Sequence, residues 1–179
     1  LDTRGWALSA VWLTHGHIDH IMGVAEVKVA TGVPVYLHPA DRGLYDGLAR
    51  QGEWMGMVLE APPPPDEELA DGQRLHLGSH EFTVRHTPGH SPGSVSFMSS
   101  GIVLGGDVLF NGSIGRTDLP GGDLGALMHS LHAVFMALPD STIVYSGHGP
   151  ETTIGVERMT NPFLTGAFPE VWVYVLGGL

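Results

Sequence analysis

The chain contains no cysteine. That excludes disulfides, thiolate metal sites and a cysteine nucleophile, and it leaves any metal to nitrogen and oxygen donors. Positive charge is also scarce: eight Lys and Arg stand against 19 Asp and Glu, a net charge of −11 with histidine neutral. Bulk electrostatics therefore give a nucleic-acid partner no support. No apolar run approaches the ~20 residues of a membrane-spanning helix. No basic-then-apolar leader opens the chain, so the expected compartment is the cytoplasm. What remains is one soluble domain of 179 residues, long enough to bury roughly 70% of its unfolded surface.

The organisation reads as alternating strands and helices. Ala10–Leu13 has the look of a buried strand, His20–Ala30 of a helix stopped by Gly32, Val33–Leu37 of a strand and Ala40–Arg50 of a weak helix. Residues 61–68, with four consecutive prolines and then three acidic residues, predict an exposed, polyproline-like connection without regular structure. Strands follow at Arg74–Leu77, Glu81–His86, Ser94–Met98 and Ile102–Leu104, divided by glycine and serine turns. Leu124–Leu138 has helical apolar spacing, Thr142–Tyr145 is a further strand, and a short helix is expected at Ile154–Met159. Two sheets covered by helices, an α/β sandwich, is the architecture this pattern implies.

The chemistry concentrates in Thr14-His15-Gly16-His17-Ile18-Asp19-His20. Single candidate ligands recur downstream: His90 in a Pro-Gly-His-Ser-Pro-Gly turn, Asp107 after Gly105-Gly106, and His148 between two glycines. Each falls at a predicted strand end or just after one, where loops carry function and strands hold position. Five imidazoles and two carboxylates suit two borderline or hard ions sharing one ligand, zinc first and then iron or manganese. His15 and His17, two apart in a loop, can face one ion, while Asp19 and His20 can turn toward a second. Asp107 can bridge the two, as in two-metal hydrolases, with His90 and His148 completing the shells. His38, His76, His80, His129 and His132 read as ordinary core or surface histidines. His86, four residues before His90, is a candidate to support it.

These motifs resemble the metallo-β-lactamase fold superfamily, with its His-x-His-x-Asp-His signature followed by His, Asp and His. Asn111–Asp123, Gly147–Gly155, Glu157 and Asn161–Leu164 are similar to the short glyoxalase II-like hydrolases. The resemblance runs from about Trp12 to Leu164 and implies an αββα sandwich. It implies His15, His17 and His90 on one zinc ion, Asp19, His20 and His148 on the other, and Asp107 between them. The implied activity is hydrolysis of a small-molecule thioester such as S-D-lactoylglutathione. A metal-bound hydroxide would attack the carbonyl carbon, with Asp19 as the catalytic residue that orients it. Arg116 and Asp118 read as loop braces.

Two departures from the family pattern set further expectations. Relatives carry strands and a helix before the first ligand motif, whereas only 14 residues precede His15. The expected domain, 1–165, therefore lacks its N-terminal strands. Residues 166–179 are expected to be an apolar, β-prone tail unlike the helical domain of larger glyoxalase II enzymes, either an extra strand covering a sheet edge or an end left by truncation. Two other functions fit parts of the pattern. An iron-dependent persulfide dioxygenase shares the Gly-Arg-Thr-Asp loop, although Gly147-His148-Gly149-Pro150 departs from its His-Asp-Tyr pattern. A truncated metal-binding scaffold without activity is the non-enzyme alternative.

Overall fold

The computed structural model describes residues 2–167; the expectation for the tail falls, from residue 168, outside them. A three-stranded parallel sheet is built from β1 (Val11–Trp12), β2 (Val35–Leu37) and β3 (Glu67–Glu68). A second sheet holds β4 (Arg74–Leu77), β5 (His80–His86), β6 (Val95–Ser99) and β7 (Ile102–Gly106), which form an antiparallel meander. The hairpin β8 (Leu109–Phe110) and β9 (Ser113–Ile114) follows. β10 (Ile143–Ser146) then joins the second sheet parallel to β7, and β11 (Thr152–Thr153) closes its edge, giving six strands in the order β11-β10-β7-β6-β5-β4.

Side-chain alternation decides what each sheet face meets. Trp12 and Tyr36 point from the first sheet into a core with Phe82, Val84, Val95 and Phe97 of the second, so the two sheets pack face to face. The Trp12 ring lies 5.9 Å from Phe82 and 5.5 Å from Phe97, centroid to centroid, within the range favoured by aromatic pairs. Leu13, Val35 and Leu37 point the other way, against Ile21, Val24, Tyr45 and Leu48. Those residues come from α1 (Ile18–Ile21), α2 (Val24–Thr31), α3 (Arg42–Asp46) and α4 (Leu48–Trp54). On the far side, Val103 and Val144 meet Leu127, Leu131, Phe135 and Ile154, from α5 (Leu124–Ser130), the turn after it and α6 (Ile154–Thr160). The layering is helix, sheet, sheet, helix, the αββα sandwich that the sequence implies.

Several boundaries differ from the expectations. The helix expected over His20–Ala30 is two helices separated around Gly23. The weak helix at Ala40–Arg50 is a 3-10 turn, Pro39–Asp41, followed by α3 and α4, and it runs on to Trp54. The helix expected through Leu138 leaves α geometry at Leu131–Phe135, where Met136 N–H donates to the Leu131 carbonyl at 2.8 Å, five residues back.

The acidic end of the proline-rich stretch is the clearest correction, because Glu67–Glu68 forms strand β3. Asp66 explains it. Its backbone N–H donates to the Val35 carbonyl, and its carboxylate accepts from the Val35 N–H, both at 2.8 Å. Lys28 Nζ donates to the same carboxylate at 2.6 and 2.7 Å. The chain leaving the prolines is thereby docked onto the β2 edge.

Candidate metal centre

All seven predicted ligands gather where the two sheets meet at one end of the sandwich. Loop 14–20 leaves β1, the His90 turn lies between β5 and β6, Asp107 follows β7 and His148 follows β10. Val95 N–H donates to the Thr14 carbonyl at 2.8 Å, which ties the first ligand loop to the second sheet. Gly147 lets Asp107 come close: a Cβ there would overlap Asp107 Oδ1 and lie 2.9 Å from His20 Cε1. Only glycine leaves room for that approach.

The groups fall into three clusters whose ligand atoms lie within 4.8 Å of one another: His15, His17 and His90; His15, His20 and Asp107; and Asp19, His20 and His148. His90 Nε2 is 2.8 Å from His17 Nδ1 and 3.2 Å from His15 Nε2. Its Nδ1 is 2.8 Å from the Arg116 carbonyl. A carbonyl can only accept, so Nδ1 carries the proton and the Nε2 lone pair faces the other two rings. Two nitrogens on one tetrahedral zinc ion stand roughly 3.3 Å apart, close to this spacing.

Asp107 reaches both halves of the cluster. Its Oδ2 lies 3.6 Å from His90 Nε2 and 3.4 Å from His148 Nε2, and its Oδ1 lies 3.4 Å from His20 Nε2. Asp19 Oδ2 is 2.9 Å from His148 Nε2 and 3.5 Å from His20 Nε2. His17 Nε2, His20 Nε2 and Asp107 Oδ1 are buried without a hydrogen-bond partner. His20 Nε2 and Asp107 Oδ1 approach to 3.4 Å without forming a hydrogen bond. The unpaired His20 Nε2 and Asp107 Oδ1, a borderline and a hard donor facing each other, fit a metal site better than they fit a protein interior.

Burial and neighbouring charge set the protonation. Burial, then the charges of neighbouring imidazoles, drives His15 far below its ordinary value, and burial followed by His90 pushes His17 down to about 4. Both rings are neutral at physiological pH, as ligation requires. For His20, burial works against charge, but Asp107 and Asp19 outweigh it and raise the pKa. For Asp107, burial is likewise the largest influence and opposes ionisation, yet His20, His90 and His148 hold the carboxyl below its usual value. His15, His17, His90 and Asp107 are buried, whereas the side chains of Asp19 and His148 are 45% and 56% exposed. The centre has a closed side and an open one.

The open side faces a cleft of about 830 Å³. Its floor includes His17, Asp19, His90, Asp107 and His148, and its walls come from α3, α4, β8, β9 and the 116–120 loop.

Two residues that position the site escaped the sequence reading. Asp41, fully buried, accepts from Gly16 N–H at 2.8 Å, Ser91 Oγ at 2.7 Å and Gly93 N–H at 2.5 Å. It therefore joins the first ligand loop to the His90 turn. Gln51 accepts from Ile18 N–H at 3.0 Å and donates to the Gly16 and Leu44 carbonyls at 3.0 and 2.8 Å. A polar residue followed by glycine-rich helical sequence carries no signal of either role.

Arg116 and Asp118 pair with each other at 2.7 and 2.6 Å, a brace in a loop whose carbonyl holds His90. His86 stacks on His38, with centroids 4.2 Å apart, and its Nε2 meets the Pro92 carbonyl at 2.9 Å. It supports the turn carrying His90 rather than touching His90 itself.

Known proteins resemble the chain in sequence, and a solved structure resembles it in fold. The chain is 42% identical over 169 residues to the probable metallo-hydrolase YqgX of Bacillus subtilis, covering 93% of this chain and 80% of that protein. It is 37% identical over 161 residues to the hydroxyacylglutathione hydrolase GloC of Haemophilus influenzae, covering 88% and 76%. Among solved structures, TTHA1623 in a di-iron-bound form superposes with a TM-score of 0.85 at 47% identity, covering 91% of this chain and 81% of that one. The family model for the metallo-beta-lactamase superfamily matches residues 1–148. The chain belongs to the metallo-beta-lactamase superfamily.

Proposed function

We propose that the protein is a dinuclear metal-dependent hydrolase of glutathione thioesters such as S-D-lactoylglutathione, with zinc as its metal. The observation that carries this reading is Asp107, which lies within 3.6 Å of His90 and within 3.4 Å of both His20 and His148. A carboxylate in contact with both ligand groups is what a bridged pair of ions needs. In this reading His15, His17 and His90 hold one ion, Asp19, His20 and His148 the other, within one domain spanning 1–165. The donor set of imidazole and carboxylate would also accept iron or manganese, and the relative TTHA1623 was solved with two irons.

A bound pair of divalent ions supplies Lewis acidity and makes a water molecule acidic enough to ionise near neutral pH. The protein's own groups do the rest. Asp19 lines the cleft, where its carboxylate can accept a hydrogen bond from the attacking water and aim it at the thioester carbonyl. The Arg116 carbonyl fixes the His90 ring through Nδ1. Asp41 and Gln51 keep the loop bearing His15 and His17 from moving. Water adds to the carbonyl carbon, the C–S bond breaks, and the thiol and the carboxylic acid leave. The choice of a glutathione thioester is supported by the glyoxalase II-like loops and by the similarity to GloC.

The test measures metal content and S-D-lactoylglutathione hydrolysis together, in wild type, His17→Ala and Asp107→Ala. The reading expects two metal equivalents and turnover in wild type, and at least about a hundredfold loss in each variant. Activity that survives both changes would refute the site. Bound zinc without turnover would leave an inactive scaffold, and one iron per chain with oxygen consumption on glutathione persulfide would mark a dioxygenase.

A further inference from the structure

The chain is short of cations, and the fold uses nearly all of them internally. Of eight Lys and Arg, six are in salt bridges with Asp or Glu, and Arg4 lies over the Trp6 ring at 5.1 Å. Among the described residues, Arg50 alone has neither an acidic nor an aromatic partner. It is exposed, and it lines the cleft above the candidate metal centre. The other arginine of that cleft, Arg116, is already neutralised by Asp118 at 2.6 Å.

The helix that carries Arg50 sets which side of the fold it serves. Gly47, Arg50, Gln51 and Trp54 all line the cleft, and their spacing of three, four and seven residues puts them on one face. Gln51 is bonded to both Gly16 and Ile18 within the first ligand loop. The helix is therefore tied to the loop that carries the metal ligands, and the Arg50 backbone is held beside the cleft. Trp54, one turn further on, is 66% exposed and Met55 is 64% exposed, an apolar lip that the described residues leave open. A protein of net charge −11 repels anions at a distance, so an unpaired guanidinium at the cleft mouth is a local exception.

We propose that Arg50 is the specificity residue of the cleft, binding a carboxylate on the thiol-bearing arm of the substrate while Trp54 packs against that arm. The charge falls on the group that leaves, because a glutathione thioester carries its carboxylates there and none on a lactoyl group. This rests on the thioester hydrolase reading of the same site.

The experiment titrates the metal-loaded protein calorimetrically with S-hexylglutathione, a non-hydrolysable thioether with two carboxylates, and with its diethyl ester. Wild type should prefer the free carboxylates. Arg50→Ala should lose about fivefold in affinity for them, as for a partly solvated ion pair, and nothing for the diester, while Arg50→Lys keeps most of the preference. That preference should shrink as salt rises. Because Arg50 is exposed and unpaired, the variant should melt with wild type. Equal weakening toward both ligands in Arg50→Ala, no preference in wild type, or no binding of either ligand overturns the assignment. If Arg50-dependent binding is found in a protein that hydrolyses no thioester, the hydrolase reading fails and the Arg50 assignment stands.

Discussion

Asp41 concentrates three hydrogen bonds on one buried carboxylate, two from backbone N–H groups and one from Ser91. Among the described residues, no other side chain accepts backbone hydrogen bonds from both the His15–His17 loop and the His90 turn. Replacing Asp41 with Ala strands three buried donors, each worth about 1–3 kcal/mol when left unsatisfied. We expect Asp41→Ala to destabilise the protein by several kcal/mol, read by thermal or urea unfolding, and to lower metal occupancy. Full metal retention at unchanged stability would remove Asp41 from the site's support. Gly147→Ala tests the opposite arrangement, because its methyl would displace Asp107 without touching a core cluster. Its expected signature is lost metal, measured by elemental analysis, with the fold retained by circular dichroism.

At the scale of elements, the anchor between the proline stretch and β2 is electrostatic and therefore pH-dependent. Lys28, then the Val35 N–H, holds the Asp66 carboxyl below its ordinary 3.8. A depressed carboxyl stabilises the fold above its unfolded pKa and loses that contribution as pH falls through the folded value. Asp66→Asn should therefore be less stable than wild type at pH 6, and the gap should close as pH drops below about 4. A gap that stays constant from pH 6 to pH 3 would show that the anchor is not ionic.

Elements with a clear period were legible from the sequence: the meander of β4 to β7 and the apolar face of α5 carry alternation or i, i+3, i+4 spacing that survives in the fold. The ligand positions were legible because their residue types are rare and their turns glycine-rich. Two-residue strands such as Glu67–Glu68, Leu109–Phe110 and Thr152–Thr153 are too short to have a period. Their pairing is set by partners distant in sequence. Glu157 shows the same limit. As a residue it stood out within a motif, but its task appears only in space, where it accepts from Thr152 Oγ1 at 2.5 Å, Gly112 N–H at 3.0 Å and Asn161 Nδ2 at 2.8 Å.

For the whole molecule, the candidate ligands divide between the two sheets. His15, His17, Asp19 and His20 follow β1, while His90, Asp107 and His148 follow strands of the six-stranded sheet. Ion binding would then be linked to the packing of one sheet on the other. With free zinc near a thousand times its dissociation constant, mass action adds about 4 kcal/mol, which for a chain of this size is a melting shift of about 10 °C. Scanning calorimetry with a chelator and with added zinc measures it, and coincident melts would break the link. The chain's route through the fold carries this one step further. Between His20 and His90 it passes through four prolines at 62–65, so a single nick there would leave two polypeptides, one with four of the ligands and one with three. Neither piece could chelate two ions alone, and zinc would become the agent that recruits one half to the other.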